Sequence, residues 1–252
     1  MNILIIGYGV VGKNMQKLFP DADIYDCHMK EHATKKDKKY DLAFVCVPTE
    51  KKPDGSCDIS IVEKVVMAFD NVKIFCIKST VPPGTTHNLN KAGYDCVFSP
   101  EYFGGTQHAN GSDYNFVILG GNRNHSAVVA EAYKEIMTGE FRIIQTTATT
   151  AELCKYMENA WLALKVSFCC EFSRIAEMFG IDNNELRELW LMDPRVGRSH
   201  TFVYEDHPFY DSHCLNKDVP GIIRASEEKG YTPGLLKAMM EINDFYKKRL
   251  KK

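Results

Sequence analysis

No apolar run in this chain approaches the roughly 18 residues that a membrane-spanning helix needs, and none is expected to cross a bilayer. The first residues, Met1-Asn2-Ile3-Leu4-Ile5-Ile6-Gly7, lack the charged start and long apolar core of an export signal. They read instead as a strand that opens the fold. No C-x-x-C pair occurs among the nine cysteines, which run from Cys27 to Cys214. That pattern excludes a familiar zinc ribbon or disulfide frame and fits reduced thiols in a cytoplasmic protein. No excess of one charge exists either: 31 Lys and Arg face 33 Asp and Glu, a net charge of −2. A dedicated nucleic-acid binder, which carries a basic face, is therefore not expected. Repeats and low-complexity linkers are also missing.

What is present alternates. Short apolar runs at Asn2–Ile6, Asp23–Tyr25, Leu42–Val47, Lys73–Ile77, Cys96–Ser99 and Phe116–Gly120 are separated by stretches with helical spacing, such as Val62, Val65, Val66 and Phe69. Alternation of this kind predicts a doubly wound, mostly parallel sheet of Rossmann type, with crossover helices. The character changes near residue 147. Thr149 and Glu152 form a T-x-x-E box at a helix start. From there to Phe179 the chain contains neither Pro nor Gly, which predicts one helix of about 30 residues. Gly180 ends it and Asn183–Met192 reads as another helix. Residues 193–221, with three prolines, read as irregular, and an amphipathic helix with a basic end follows Pro233. The division expected is a nucleotide-binding domain over 1–147 and an all-α domain over 148–252.

The first strand leads into Gly7-Tyr8-Gly9-Val10-Val11-Gly12, a G-x-G-x-x-G run ahead of a helix. The first glycine permits the tight turn, the second admits a pyrophosphate and the third allows close helix–strand packing. The helix N-terminus then faces the phosphates. Asp26, at the end of the second strand, is placed to bond the adenosine ribose hydroxyls, which favours NAD over NADP.

Further motifs fall at strand ends and on the long helix. They are Cys46-Val47-Pro48-Thr49, Lys78-Ser79-Thr80-Val81-Pro82-Pro83-Gly84, Ser99-Pro100-Glu101-Tyr102, Glu152-Leu153-Cys154-Lys155-Tyr156 with Asn159-Ala160, and Cys214-Leu215-Asn216-Lys217-Asp218. Ligands of open α/β sheets gather at strand C-termini, where Val47, Pro48, Thr49, Thr80 and Glu101 fall. Lys155 and Asn159, four apart on a helix, share a face. A lysine beside an amide suits a developing oxyanion. Positive charge near Cys214, from Lys217, favours a thiolate, which can add to an aldehyde. His200, His207 and His213 cluster in sequence, but their spacing fits no zinc pattern, so no metal is expected.

In order and spacing these motifs resemble the UDP-glucose/GDP-mannose dehydrogenase family over about residues 1–246. The resemblance implies oxidation of the primary alcohol of a nucleotide sugar to the carboxylate, with two NAD per turnover. It implies Cys214 as nucleophile, Lys155 and Asn159 as oxyanion stabilisers, Asp218 as their support or as activator of water, and Glu101 and Thr80 as positioners of water. Val47, Pro48, Thr49, Ser79 and Thr80 would line the cofactor with Gly7–Gly12 and Asp26. Tyr102 and Phe103 would join Glu101, Lys155 and Asn159 at the substrate. The long helix, with Trp161, would form a homodimer. Two departures stand out: Tyr210-Asp211-Ser212-His213 precede Cys214 where the family has two glycines, and Asn216 replaces a proline. A third domain that holds the nucleotide is expected to be absent. Two other readings fit the same residues: a two-electron enzyme like the β-hydroxyacid dehydrogenases, which share Lys-x-x-x-Asn and need no cysteine, and a catalytically silent NAD-binding subunit.

Overall fold

In the computed structural model, residues 1–29, 38–102, 115–137 and 139–250 are described. The chain forms two compact units: residues 1–52 with 57–155, and residues 53–56 with 156–252.

The first unit is built on strands. They are β1 (Ile3–Ile6), β2 (Asp23–Tyr25), β3 (Tyr40–Val45), β4 (Val72–Ile77), β5 (Cys96–Phe98), β6 (Phe116–Gly121) and β7 (Arg142–Thr146), in the spatial order β2-β1-β3-β4-β5-β6-β7. All neighbouring pairs are parallel except β5–β6, which is antiparallel. Helices α1 (Val10–Leu18), α2 (Ser60–Ala68), α3 (Thr85–Lys91) and α4 (Arg123–Ile136) connect them. Apolar side chains on both faces of β1, β3 and β4 are buried, and form separate clusters around Leu4, Val45 and Phe98 and around Ile5, Phe44 and Val129. That two-sided burial is why these strands read as continuous apolar runs. Helix α2 buries Val62 and Val66 against the first cluster, each worth roughly 1.5–3 kcal/mol.

Three local expectations are corrected. The strand β7 is absent from the apolar runs, because it pairs on one side only and its side chains are mostly exposed. The apolar run at 42–47 begins two residues earlier and ends at Val45, which leaves Val47, Pro48 and Thr49 beyond the strand. The box at the start of α5 (Ala148–Met178) is displaced as well. Thr147 Oγ1, not Thr149, accepts from Thr150 N, at 3.2 Å. Glu152 turns away, and its carboxylate accepts from Gly84 N at 2.6 Å and Thr86 N at 2.8 Å. It caps α3, a different helix from its own.

Glu152 is fully buried. Burial raises its carboxyl above the ordinary range, outweighing the donors that oppose the rise. A folded value above the unfolded one gives stability that is full below the unfolded pKa and is lost as pH rises through the folded value. Glu152→Gln turns an NH2 group toward one backbone N–H and should cost about 1–3 kcal/mol. Urea melts should show the gap from wild type widening as pH falls through the raised folded pKa toward the ordinary carboxyl range.

The second unit holds the rest of α5 with α6 (Asn183–Trp190), α7 (His213–Glu227) and α8 (Gly234–Leu250). Helix α7 corrects the reading of 193–221 as irregular throughout. Pro220 lies inside it, at a cost of about 3 kcal/mol. Leu215, Val219, Ile222 and Ile223 lie on one face and are buried, and their burial outweighs that cost. No described helix is long and apolar enough to cross a membrane.

Candidate functional site

The turn between β1 and α1 begins at Gly7, whose φ of +92° is left-handed and disfavours any side chain. A Cβ there would also lie 2.7 Å from Cys46 O. Gly12, on α1, sits so close to the turn that a Cβ would fall 1.9 Å from Gly7 O. At Gly9 a Cβ would meet nothing within 4 Å. The helix that follows has no side-chain cap and no acidic residue in its first turn, so its N–H groups suit an anion. Asp26 follows β2. Its Oδ2 accepts from Tyr8 N at 2.8 Å and its Oδ1 from His28 N at 2.9 Å. These bonds hold the carboxylate beside the glycine turn. The open approach at Gly9 and the acid fixed beside it fit a dinucleotide.

The ends of β3 and β4 are tied to each other. Thr49 Oγ1 donates to Thr80 O at 2.8 Å and Ser79 Oγ donates to Val47 O at 2.6 Å. Val47, Thr49, Ser79 and Thr80 are all buried. Beyond β5, Glu101 faces Lys155 of α5, with Nζ and Oε1 3.6 Å apart and both side chains at most 10% exposed. The Lys155 ammonium also stands 5.2 Å from the centre of the Tyr102 ring. Phe103 lies outside the described residues.

In the second unit, Asn159 Nδ2 donates to Asp218 Oδ2 at 2.6 Å, and Lys217 Nζ donates to Asp218 Oδ1 at 2.6 Å. Asp218 is 2% exposed and Asn159 4%. A carboxylate this buried requires compensation, and the amide and ammonium supply it. Cys214 is exposed, in the first turn of α7 rather than in an irregular segment. Ser212 caps that helix by accepting from Leu215 N at 3.3 Å. The residues that depart from the family pattern form their own cluster: Asp211 Oδ1 accepts from Asn216 Nδ2 at 2.8 Å and pairs with Lys247 at 2.7 Å. The bond from Lys247 holds the Asp211 carboxyl below its usual range. No group of three metal-ligating side chains that could hold an ion occurs among the described residues.

Two buried lysines escaped the sequence reading of the site. Lys78 is 3% exposed and bonds to Ser99 and Pro100, and Lys165 is 7% exposed and bonds to Val196 O and Gly197 O. The signals for Lys78 are its place directly after a continuous apolar strand and at the head of the Lys78–Gly84 motif.

Two family models match the chain. The NAD binding domain of the UDP-glucose/GDP-mannose dehydrogenase family matches residues 25–137, and its central domain matches residues 149–245. The UDP-glucose 6-dehydrogenase AglM of Haloferax volcanii is 28% identical over 233 residues, covering 83% of this chain and 54% of the relative. The UDP-N-acetyl-D-mannosamine dehydrogenase of Methanocaldococcus jannaschii is 29% identical over 222 residues, covering 83% and 49%. The chain thus spans about half the length of the curated relatives it matches. Among solved structures, the UDP-glucose dehydrogenase of Pyrobaculum islandicum aligns with a TM-score of 0.77 and 22% identity, covering 97% of this chain and 68% of that one. The UDP-D-ManNAc dehydrogenase of Pyrococcus horikoshii gives 0.78 and 23%, with the same coverage. These structures share the fold. The chain belongs to the UDP-glucose/GDP-mannose dehydrogenase family, and carries its NAD-binding and central domains.

Proposed function

We propose that this protein oxidises the primary alcohol of a nucleotide sugar to the carboxylate, as a UDP-glucose 6-dehydrogenase does. Residues 1–147 would form the cofactor domain and 148–252 the helical domain. The observation that carries the reading is the Glu101–Lys155 pair. Two charges taken out of water at the end of a sheet strand cost stability unless they serve something.

Alcohol to acid is a four-electron change, for which NAD, when bound, would supply the hydride acceptor at each of the two stages. The chain's residues do the rest. Gly7–Gly12 and Asp26 hold the dinucleotide, with Val47, Pro48, Thr49, Ser79 and Thr80 along it. Lys155 and Asn159, one helical turn apart, stabilise the oxyanion that develops as the alcohol proton passes to water. The sulfur of Cys214 adds to the aldehyde carbon, and loss of the second hydride leaves a thioester on that sulfur. Asp218 keeps Asn159 oriented. Water, positioned by Glu101 and Thr80, breaks the C–S bond, and the thiolate is released with the acid. Tyr102 and Phe103 contact the substrate. A homodimer is supported by Met157, Trp161, Phe168 and Phe172, which leave an exposed apolar stripe along α5. Nine free cysteines, six of them buried, support a reducing compartment such as the cytoplasm.

The test is stoichiometry. With UDP-glucose, GDP-mannose or an N-acetylated nucleotide sugar, two NADH should form per acid. One NADH with an oxo product would assign the chain to two-electron chemistry. Binding of NAD with no reduction on any nucleotide sugar would make it a silent subunit.

A further inference from the structure

Lys78 has no role in the chemistry outlined above, yet it is one of the most deeply buried cations among the described residues. It stands directly after β4, 3% exposed. Its Nζ donates to Ser99 Oγ at 3.0 Å and to Pro100 O at 3.2 Å. These acceptors belong to the two residues immediately before Glu101. Burial disfavours the Lys78 charge. The ionisable groups around it are Cys76 on β4, Cys46 after β3, Glu101 and Lys155. The Ser99 hydroxyl is shared further, with Tyr133 and Cys76.

An apolar side chain would serve the sheet better here, since β4 is otherwise apolar on its buried positions. The ammonium does something an apolar group cannot: it grips the backbone and side chain of the turn that carries Glu101. We propose that Lys78 is a positioning residue, which fixes the Ser99–Pro100–Glu101 turn so that the Glu101 carboxylate faces Lys155. The proposal rests on the reading in which Glu101 and Lys155 serve the reaction, but its geometry can be tested without turnover.

The test measures acetylation of single lysines in the intact chain by mass spectrometry. Lys155 is shielded in the wild type, and Lys165, buried in the other unit at 7% exposure, reports on general unfolding. In Lys78→Met, Lys155 should be acetylated several-fold faster while Lys165 keeps its wild-type rate. The double variant Lys78→Met/Glu101→Gln should be no faster than Glu101→Gln alone, because both changes break the same link. In the turnover assay kcat should fall about 10²-fold at unchanged KM, as for a misplaced catalytic group. Lys155 labelled at the wild-type rate in Lys78→Met would overturn the proposal, and so would additive effects in the double variant. If Lys165 is also exposed in Lys78→Met, the same comparison is made with Lys78→Gln, whose shorter side chain stays polar but does not reach Ser99 Oγ and Pro100 O together, and the same faster labelling of Lys155 alone is expected. A wild-type chain that makes no acid would sink the proposed function and leave the labelling result standing on its own.

Discussion

Replacing Cys214 with Ser should lower acid formation by about 10³-fold or more, equivalent to at least about 4 kcal/mol of barrier. The surroundings of the thiols single out Cys214 as the one suited to the nucleophilic role. Burial pushes the thiols of Cys76, Cys96 and Cys170 up to about 12, and moves Cys46 and Cys169 in the same direction. Such groups hold almost no thiolate at neutral pH, and thiolate is the nucleophile. Cys27, Cys154 and Cys214 are the exposed cysteines. Of these three, Cys214 alone lies in the first turn of a helix, where the dipole favours an anion. A serine hydroxyl at that position keeps the shape and loses the acidity. Single-turnover assays should then stop after the first oxidation, with one NADH and no adduct that hydroxylamine can trap. Cys27→Ser and Cys154→Ser should behave as wild type. Full activity in Cys214→Ser would exclude the thioester route.

Gly12→Ala should strongly destabilise the first unit. The added carbon would stand 1.9 Å from Gly7 O and 3.0 Å from Gly7 C. Both are backbone atoms, so α1 must move away from the turn. Overpacking of this kind costs about 3 kcal/mol, a fall in Tm of roughly 6–12 °C for a chain of this size. NAD affinity should be lost with it. Gly9→Ala is the matched comparison. Its φ of −77° suits an alanine, and the added carbon meets nothing within 4 Å. The fold should keep its Tm, while NAD binding weakens because the methyl occupies the approach a pyrophosphate needs. Thermal melts and NAD titration on the two variants separate these effects; equal losses of Tm would refute the distinction.

The regions of the molecule legible in sequence were those written in local order. The glycine turn, Asp26 after β2 and the polar residues after apolar strands are set by neighbours a few positions away. The long helix was legible because nothing in it interrupts helical spacing. What was not legible depends on distant partners. Glu152 looked like half of a local capping box, and it bonds instead to residues 66 and 68 positions earlier. The start of α7 was hidden by Pro220 and Gly221, whose local preference loses to burial of one helix face. The strand β7 carries little apolar signal because it is an edge. Lys78 reads locally as an ordinary polar end to a strand, because its acceptors lie 21 and 22 positions away.

The bond from Glu152 to α3 has a mechanical consequence. A helix turns about 100° and rises about 1.5 Å with each residue. Pinning one side chain therefore fixes the azimuth of those beside it, and Lys155 follows only three residues later. At a radius of about 6 Å, a 20° rotation of the helix would carry a side chain through about 2 Å. That displacement is enough to separate a pair of charges held 3.6 Å apart. Glu152 acts as an angular stop at the root of α5, three residues ahead of the Lys155 ammonium.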